Sequence, residues 1–195
     1  MLVKICGVSN AIDAFAAIHN GANAVGFVMG GNVMPIEVEP SAQNVREIIK
    51  KFPSGVESVL VTHLLNVQDI VALSAYIGST AIQVSEDISV VELKELRALV
   101  PDKTIIKTIV VNGAGSLERL KQYEPYADFL LLDTRFGGYT GGTGVTNDWV
   151  ECQALIAAAA KPLPPKARAE LAEWSAGRFS LNAIAQQVVD ESIAT

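Results

Sequence analysis

Short apolar runs rich in β-branched residues return along this chain at nearly regular intervals, and that rhythm restricts the fold more than any single motif. The runs are LVKIC (2–6), AVGFV (24–28), VESVLV (56–61), TAIQV (80–84), TIIKTIV (104–110) and ADFLLLD (127–133). Stretches with helical spacing separate them. AIDAFAAIHNG (11–21) follows Asn10, a good N-cap, and stops at Gly21; SAQNVREIIKKF (41–52) begins at Ser41 behind Pro40. NVQDIVALSAYIG (66–78), SVVELKELRALV (89–100), SLERLKQY (116–123) and NDWVECQALIAAAA (147–160) complete the series. Strand starts lie about 22 to 32 residues apart, one βα unit each. Nearly continuous apolar strands alternating with amphipathic helices predict an α/β fold with a parallel sheet under helices. Six such units suit an open doubly wound sheet or most of a (β/α)8 barrel, and periodicity alone does not choose. The first strand lacks the G-x-G-x-x-G turn of a dinucleotide fold, which counts against the open sheet.

After Leu163 the rhythm stops. The remainder reads as a helix near 165–175, a break at Gly177 and a second helix capped by Ser180. Residues 1–163 are thus expected to form the barrel-type domain, and 164–195 a helical tail packed on it. With six strands and no seventh or eighth visible, the first and last would have unpaired edges. The tail's apolar Leu171, Trp174, Phe179, Leu181, Ile184 and Val188 would mask that opening, leaving a partly open barrel prone to self-association.

Composition narrows the function. The chain has 195 residues, enough for one domain; half are hydrophobic and 18% are charged, which excludes a disordered protein. A formal charge of -6 with no basic run argues against a nucleic-acid partner. An anionic substrate remains compatible, because backbone amides and one or two lysines bind it locally. Cys6 and Cys152 match no metal-ligand spacing and suit a reducing compartment. The first residues lack a signal-peptide core and no apolar run reaches membrane-span length, so a cytoplasmic location without membrane association is expected.

In parallel α/β folds the ligand sits at the C-terminal ends of the strands. Cys6 ends the first run and Asp133 the sixth; Gln83 lies on the fourth, Lys107 on the fifth, and His63 just beyond the third. GGYTGGTG (137–144) holds five glycines in eight residues and leads into the last helix at Asn147 and Asp148. Each feature also has a plain structural explanation. A strand-end Cys is often a small buried hydrophobe, and an Asp after a strand a turn residue or helix cap. His63 suits a solvated loop, and Lys107 suits a strand lysine with an apolar stem and a head in water. His19 and Cys152 read as structural. Together, however, a thiol and a carboxylate at one mouth make a base and acid of different intrinsic pKa, the equipment of enolisation and isomerisation.

VKICG (3–7), GANAVGFV (21–28), AIQV (81–84), FLLLDT (129–134) and GGTGVTNDW (141–149) resemble phosphoribosylanthranilate isomerase in order and spacing over residues 1–163. The resemblance implies a (β/α)8 barrel performing an Amadori rearrangement of N-(5-phosphoribosyl)anthranilate in tryptophan biosynthesis, without metal or organic cofactor. It implies Cys6 of KICG as general base and Asp133 of LLLDT as general acid. Lys4, Gly7, Gln83, Gly141, Gly142 and Gly144 are implied as substrate-binding, with Gly7 clearing space for the sugar. The chain departs from the pattern in several places. The family's second-strand arginine has no counterpart in GGNVMPIEVEP (30–40), where Ile36 or a neighbour stands; Q-L-H-G reads QVSE, with Ser85 for histidine. G-K-T-F-D-W reads GVTNDW, and the last two βα units, which carry the family's phosphate site, are not visible. Two further readings therefore stand beside the isomerase: a barrel-derived binding or assembly module, and a truncated copy lacking the phosphate site.

Overall fold

The computed structural model describes residues 3–31, 39–113, 115–140 and 144–159. Ile36, Gly141, Gly142 and the 164–195 segment lie outside the described residues. Six parallel strands follow one another in sheet order exactly as in sequence order: β1 (Lys4–Ile5), β2 (Ala24–Val28), β3 (Glu57–Thr62), β4 (Ala81–Val84), β5 (Thr104–Val110) and β6 (Phe129–Asp133). The helices α1 (Ala11–His19), α2 (Ala42–Ile49), α3 (Val67–Ile77), α4 (Val90–Leu99) and α5 (Ser116–Tyr123) connect them, and α6 (Trp149–Ala158) follows β6. All six strand runs and all six helical runs are therefore present. The first strand is shorter than LVKIC, and Cys6 lies just past its last paired residue.

Local chemistry marks the helix ends. The side chains of Asn10, Ser41 and Asn66 accept hydrogen bonds from the amides of Asp13, Asn44 and Asp69. Ser89 and Glu92 form a reciprocal capping box. Gly78 closes α3 in the left-handed conformation, φ +77°, where a side chain would be strained.

The sheet is curled. Lys4 Nζ donates to Gln83 Oε1 at 2.7 Å, although β1 and β4 are three strand spacings apart. In a flat sheet that separation is about 14 Å, beyond the reach of the two side chains, so the strands bend round a concave inner face. Along that face lie Val28, Val59, Val61 and Ala81, with Ala24 and Ile106 against them. The convex face packs under the helices in two clusters. Val25, Phe27 and Leu60 meet Ala14, Val45 and Ile48; Ile82, Val84, Ile105 and Ile109 meet Ile70, Leu93 and Leu96. Strict alternation of the strands between these two apolar surfaces explains why their sequences read as continuous hydrophobic runs.

Two details differ from the sequence reading. Lys107 lies on the convex side and does not reach water: it is fully buried, and Nζ donates to the carbonyls of Thr108 at 2.7 Å and Glu86 at 2.9 Å. Its ammonium lies 5.0 Å from the Tyr123 ring centroid. Those acceptors and the ring replace the water that snorkelling would have supplied. The first part of the glycine-rich stretch is a small antiparallel hairpin, β7 (Arg135–Phe136) and β8 (Tyr139–Thr140), turning through Gly137 and Gly138 at φ +60° and +88°.

Candidate active site

Because every strand of the sheet is parallel, the residues at the strand ends share one end of it. Lys4 and Cys6 point into the concavity from the β1 side. A Cβ built on Gly26 of β2 would lie 3.0 Å from Cys6 Sγ and 3.3 Å from Lys4 Cε, so both side chains pass over that glycine. Gln83, buried on β4, receives Lys4 and lies 3.5 Å from the hydroxyls of Ser85 and Thr108. Asp133 is opposite Val110, two steps beyond the pair Thr108 and Leu131, so register puts its half-buried side chain on the same inner face as Thr108. One of its carboxylate oxygens accepts from the Thr134 amide at 2.8 Å. The thiol and the carboxylate thus come from the two outer strands of the sheet and face one concavity.

Cys6 is exposed rather than a packed strand-end hydrophobe. Gly7 behind it has φ +77°, and a Cβ there would meet nothing within 4 Å. Its backbone conformation, not crowding by a protein atom, is what favours glycine at position 7. The close approach belongs to Gly26, which the sequence reading did not select. A glycine in the middle of a β-branched strand was its only sign.

The glycine-rich stretch departs from a helix-terminal anion cradle. Asp148 caps α6, and its Oδ1 accepts from the amides of Val150 at 2.9 Å and Glu151 at 3.1 Å. A carboxylate of the chain's own already takes those two amides, so they are not free to cradle an anion. Gly144, at φ +69°, is the residue of the expected Gly141, Gly142 and Gly144 set that lies within the described structure.

His63 is buried, contrary to the solvated loop expected of it. Its Nδ1 lies 3.0 Å from Glu86 Oε1, and Arg135 Nη2 donates to Glu86 Oε2 at 2.8 Å. The same guanidinium reaches Asp87 Oδ2 at 3.3 Å and Thr140 Oγ1 at 2.8 Å. Loops after β3, β4 and β6 are thereby tied together at the site's end of the sheet. Burial holds the Lys107 ammonium down to about 8, against the opposing pull of Asp87 and Glu86. Cys152 is buried, its thiol pushed up by that burial, as befits a packing residue.

No family model matches the chain. Individual relatives do. The N-(5'-phosphoribosyl)anthranilate isomerase of Methanocella arvoryzae is 34% identical over 177 residues, covering 88% of this chain and 82% of the relative. The chain belongs to the phosphoribosylanthranilate isomerase family. Solved structures agree: phosphoribosylanthranilate isomerase from Thermotoga maritima superposes with a TM-score of 0.68 at 28% identity, covering 81% of this chain and 73% of that one. A phosphoribosylanthranilate isomerase solved with reduced 1-(o-carboxyphenylamino)-1-deoxyribulose 5-phosphate has a TM-score of 0.62 at 25% identity, covering 81% and 72%. Family membership accounts for the curled parallel sheet. Its six described parallel strands form a curled half-barrel.

Proposed function

We infer that this chain is a phosphoribosylanthranilate isomerase, with Cys6 as general base and Asp133 as general acid. Asp133 protonates the ring oxygen of the ribosylamine, and the nitrogen lone pair opens the ring to a protonated imine that keeps its N–H. Cys6 then removes the C2 proton, giving an enolamine that collapses to the ketose amine. The acid and the base act on one substrate from two sides, so they must face each other across a common concavity. The supporting observation is that Cys6, over Gly26, and Asp133, in register with Val110, lie on the inner face at the same end of the sheet. Lys4, held by Gln83, and the backbone around Gly7 and Gly144 are the inferred substrate contacts. No helix among the described residues is long and apolar enough to cross a membrane. The two outer strands each pair on one side only among the described residues, which supports self-association through those edges.

The test is the loss of phosphoribosylanthranilate fluorescence on adding purified protein. Turnover is expected, and Cys6→Ala or Asp133→Asn should lower kcat by a few orders of magnitude with a modest change in KM, because proton transfer is assisted mainly in the transition state. Turnover surviving both substitutions would place the chemistry elsewhere. A fold-competent wild type with no turnover would instead favour the binding-module reading.

A further inference from the structure

We propose that His63 is a ligand-contacting residue, whose imidazole is locked by Glu86 so that Nε2 exchanges a hydrogen bond with a sugar hydroxyl in the mouth. The ligand's identity rests on the isomerase reading; the geometry does not. Strand β3 sends Val59 and Val61 inward, and its pairing with the end of β2 continues past Thr62, through Met29 N to Val61 O at 2.8 Å and His63 N to Gly30 O at 3.0 Å. The two-residue alternation therefore turns His63 inward as well. Opposite it on β4 stands Ser85, one step beyond the pair Thr62 and Val84, with Ser85 N bonded to Thr62 O at 3.0 Å. A small side chain there leaves the imidazole room on the inner face.

Glu86 is held at three points: Oε1 by His63, Oε2 by Arg135 and its carbonyl by Lys107. A carboxylate paired with a guanidinium accepts only, so Nδ1 carries the hydrogen that faces Glu86, and Nε2 is the ring atom left to meet a ligand. Nε2 has no hydrogen-bond partner among the described residues. The His63 side chain as a whole is only 7% exposed. A buried ring held at one nitrogen, with its other nitrogen free of partners among the described residues and turned to the inner face, is placed to meet a polar group of a ligand. Asp87 and Arg135 complete the charged groups around it, and they neutralise one another at 3.3 Å rather than engaging the ring.

The chain has two histidines, and His19 is exposed on α1, so imidazole NMR separates them. The full-length protein with 15N-labelled histidine would be titrated with reduced 1-(o-carboxyphenylamino)-1-deoxyribulose 5-phosphate, His19→Gln assigning the ring signals. We expect the His63 Nε2 resonance to move on saturation and that of His19 to stay. His63→Leu should bind the compound about threefold to tenfold more weakly, the loss of one hydrogen bond. Binding that leaves the His63 ring unmoved overturns this inference and spares the isomerase reading. Movement of the ring in a protein without turnover supports the contact and overturns the catalytic assignment. No binding by the wild type overturns both.

Discussion

Gly26 carries the sharpest consequence of a single atom in this site. Its backbone is in an ordinary conformation, so alanine is tolerated locally, but the added Cβ would sit 3.0 Å from Cys6 Sγ, 3.1 Å from Val61 Cγ2 and 3.3 Å from Lys4 Cε. The thiol and the lysine stem must give way by tenths of an ångström. Gly26→Ala should therefore lower kcat by about tenfold or more while changing stability by less than about 1 kcal/mol. Steady-state kinetics beside thermal denaturation checks this, and an unaltered kcat would mean the Cys6 position is not critical. Lys107 offers a residue-scale test of the core. Burial lowers its folded pKa to about 8 from the ordinary lysine value of 10.5, so between those values the unfolded chain binds the extra proton. Stability should then rise with pH across that window, because the unfolded state holds more protons than the folded one. Relative to Lys107→Met, the wild type should gain stability between pH 8 and pH 10.5; urea melts at the two ends measure it. A pH-independent difference would show that Lys107 titrates normally.

The elements divide their labour between the two ends of the sheet. At the N-terminal end, Arg97 of α4 pairs with Asp128 and donates to the Lys103 carbonyl at 2.9 Å, and Asp128 Oδ2 accepts from the Ile105 amide at 2.8 Å. That cluster pins α4 to the entries of β5 and β6 and touches none of the candidate site residues. Asp128→Ala should cost about 1 kcal/mol, most of it from the backbone amide left without its acceptor, and leave kcat and KM unchanged. Chemical denaturation with parallel kinetics decides it; a fall in kcat would link this end of the barrel to the site. At the C-terminal end the joining residues are Glu86 and Arg135. His63 stands in register with Ser85 on the neighbouring strand, one step beyond the pair Thr62 and Val84.

For the whole molecule, the outer strands matter most. Among the described residues β1 pairs only with β2 and β6 only with β5, and Ile5 and Phe129 on those strands are more than two-fifths exposed. Unpaired backbone beside apolar side chains recruits other strands. Light scattering is expected to give an average mass that rises with concentration, and Phe129→Lys should suppress the rise by charging one edge. A concentration-independent monomer would show that the edges are covered. The sequence by itself determined the succession of six βα units, because buried strands must be apolar on both faces and helices must begin at caps such as Asn10, Asn66 and Ser89. It also singled out Cys6 and Asp133, because both lie where an apolar strand run ends in a reactive side chain. Only the tertiary structure decided that Gly26 makes room for the thiol, that Lys4 reaches Gln83, and that His63, Glu86 and Arg135 form one network. Those partners lie 20 to 79 positions apart in the chain. No local pattern encodes such a pairing, since curling the sheet is what brings distant strands to a shared inner face.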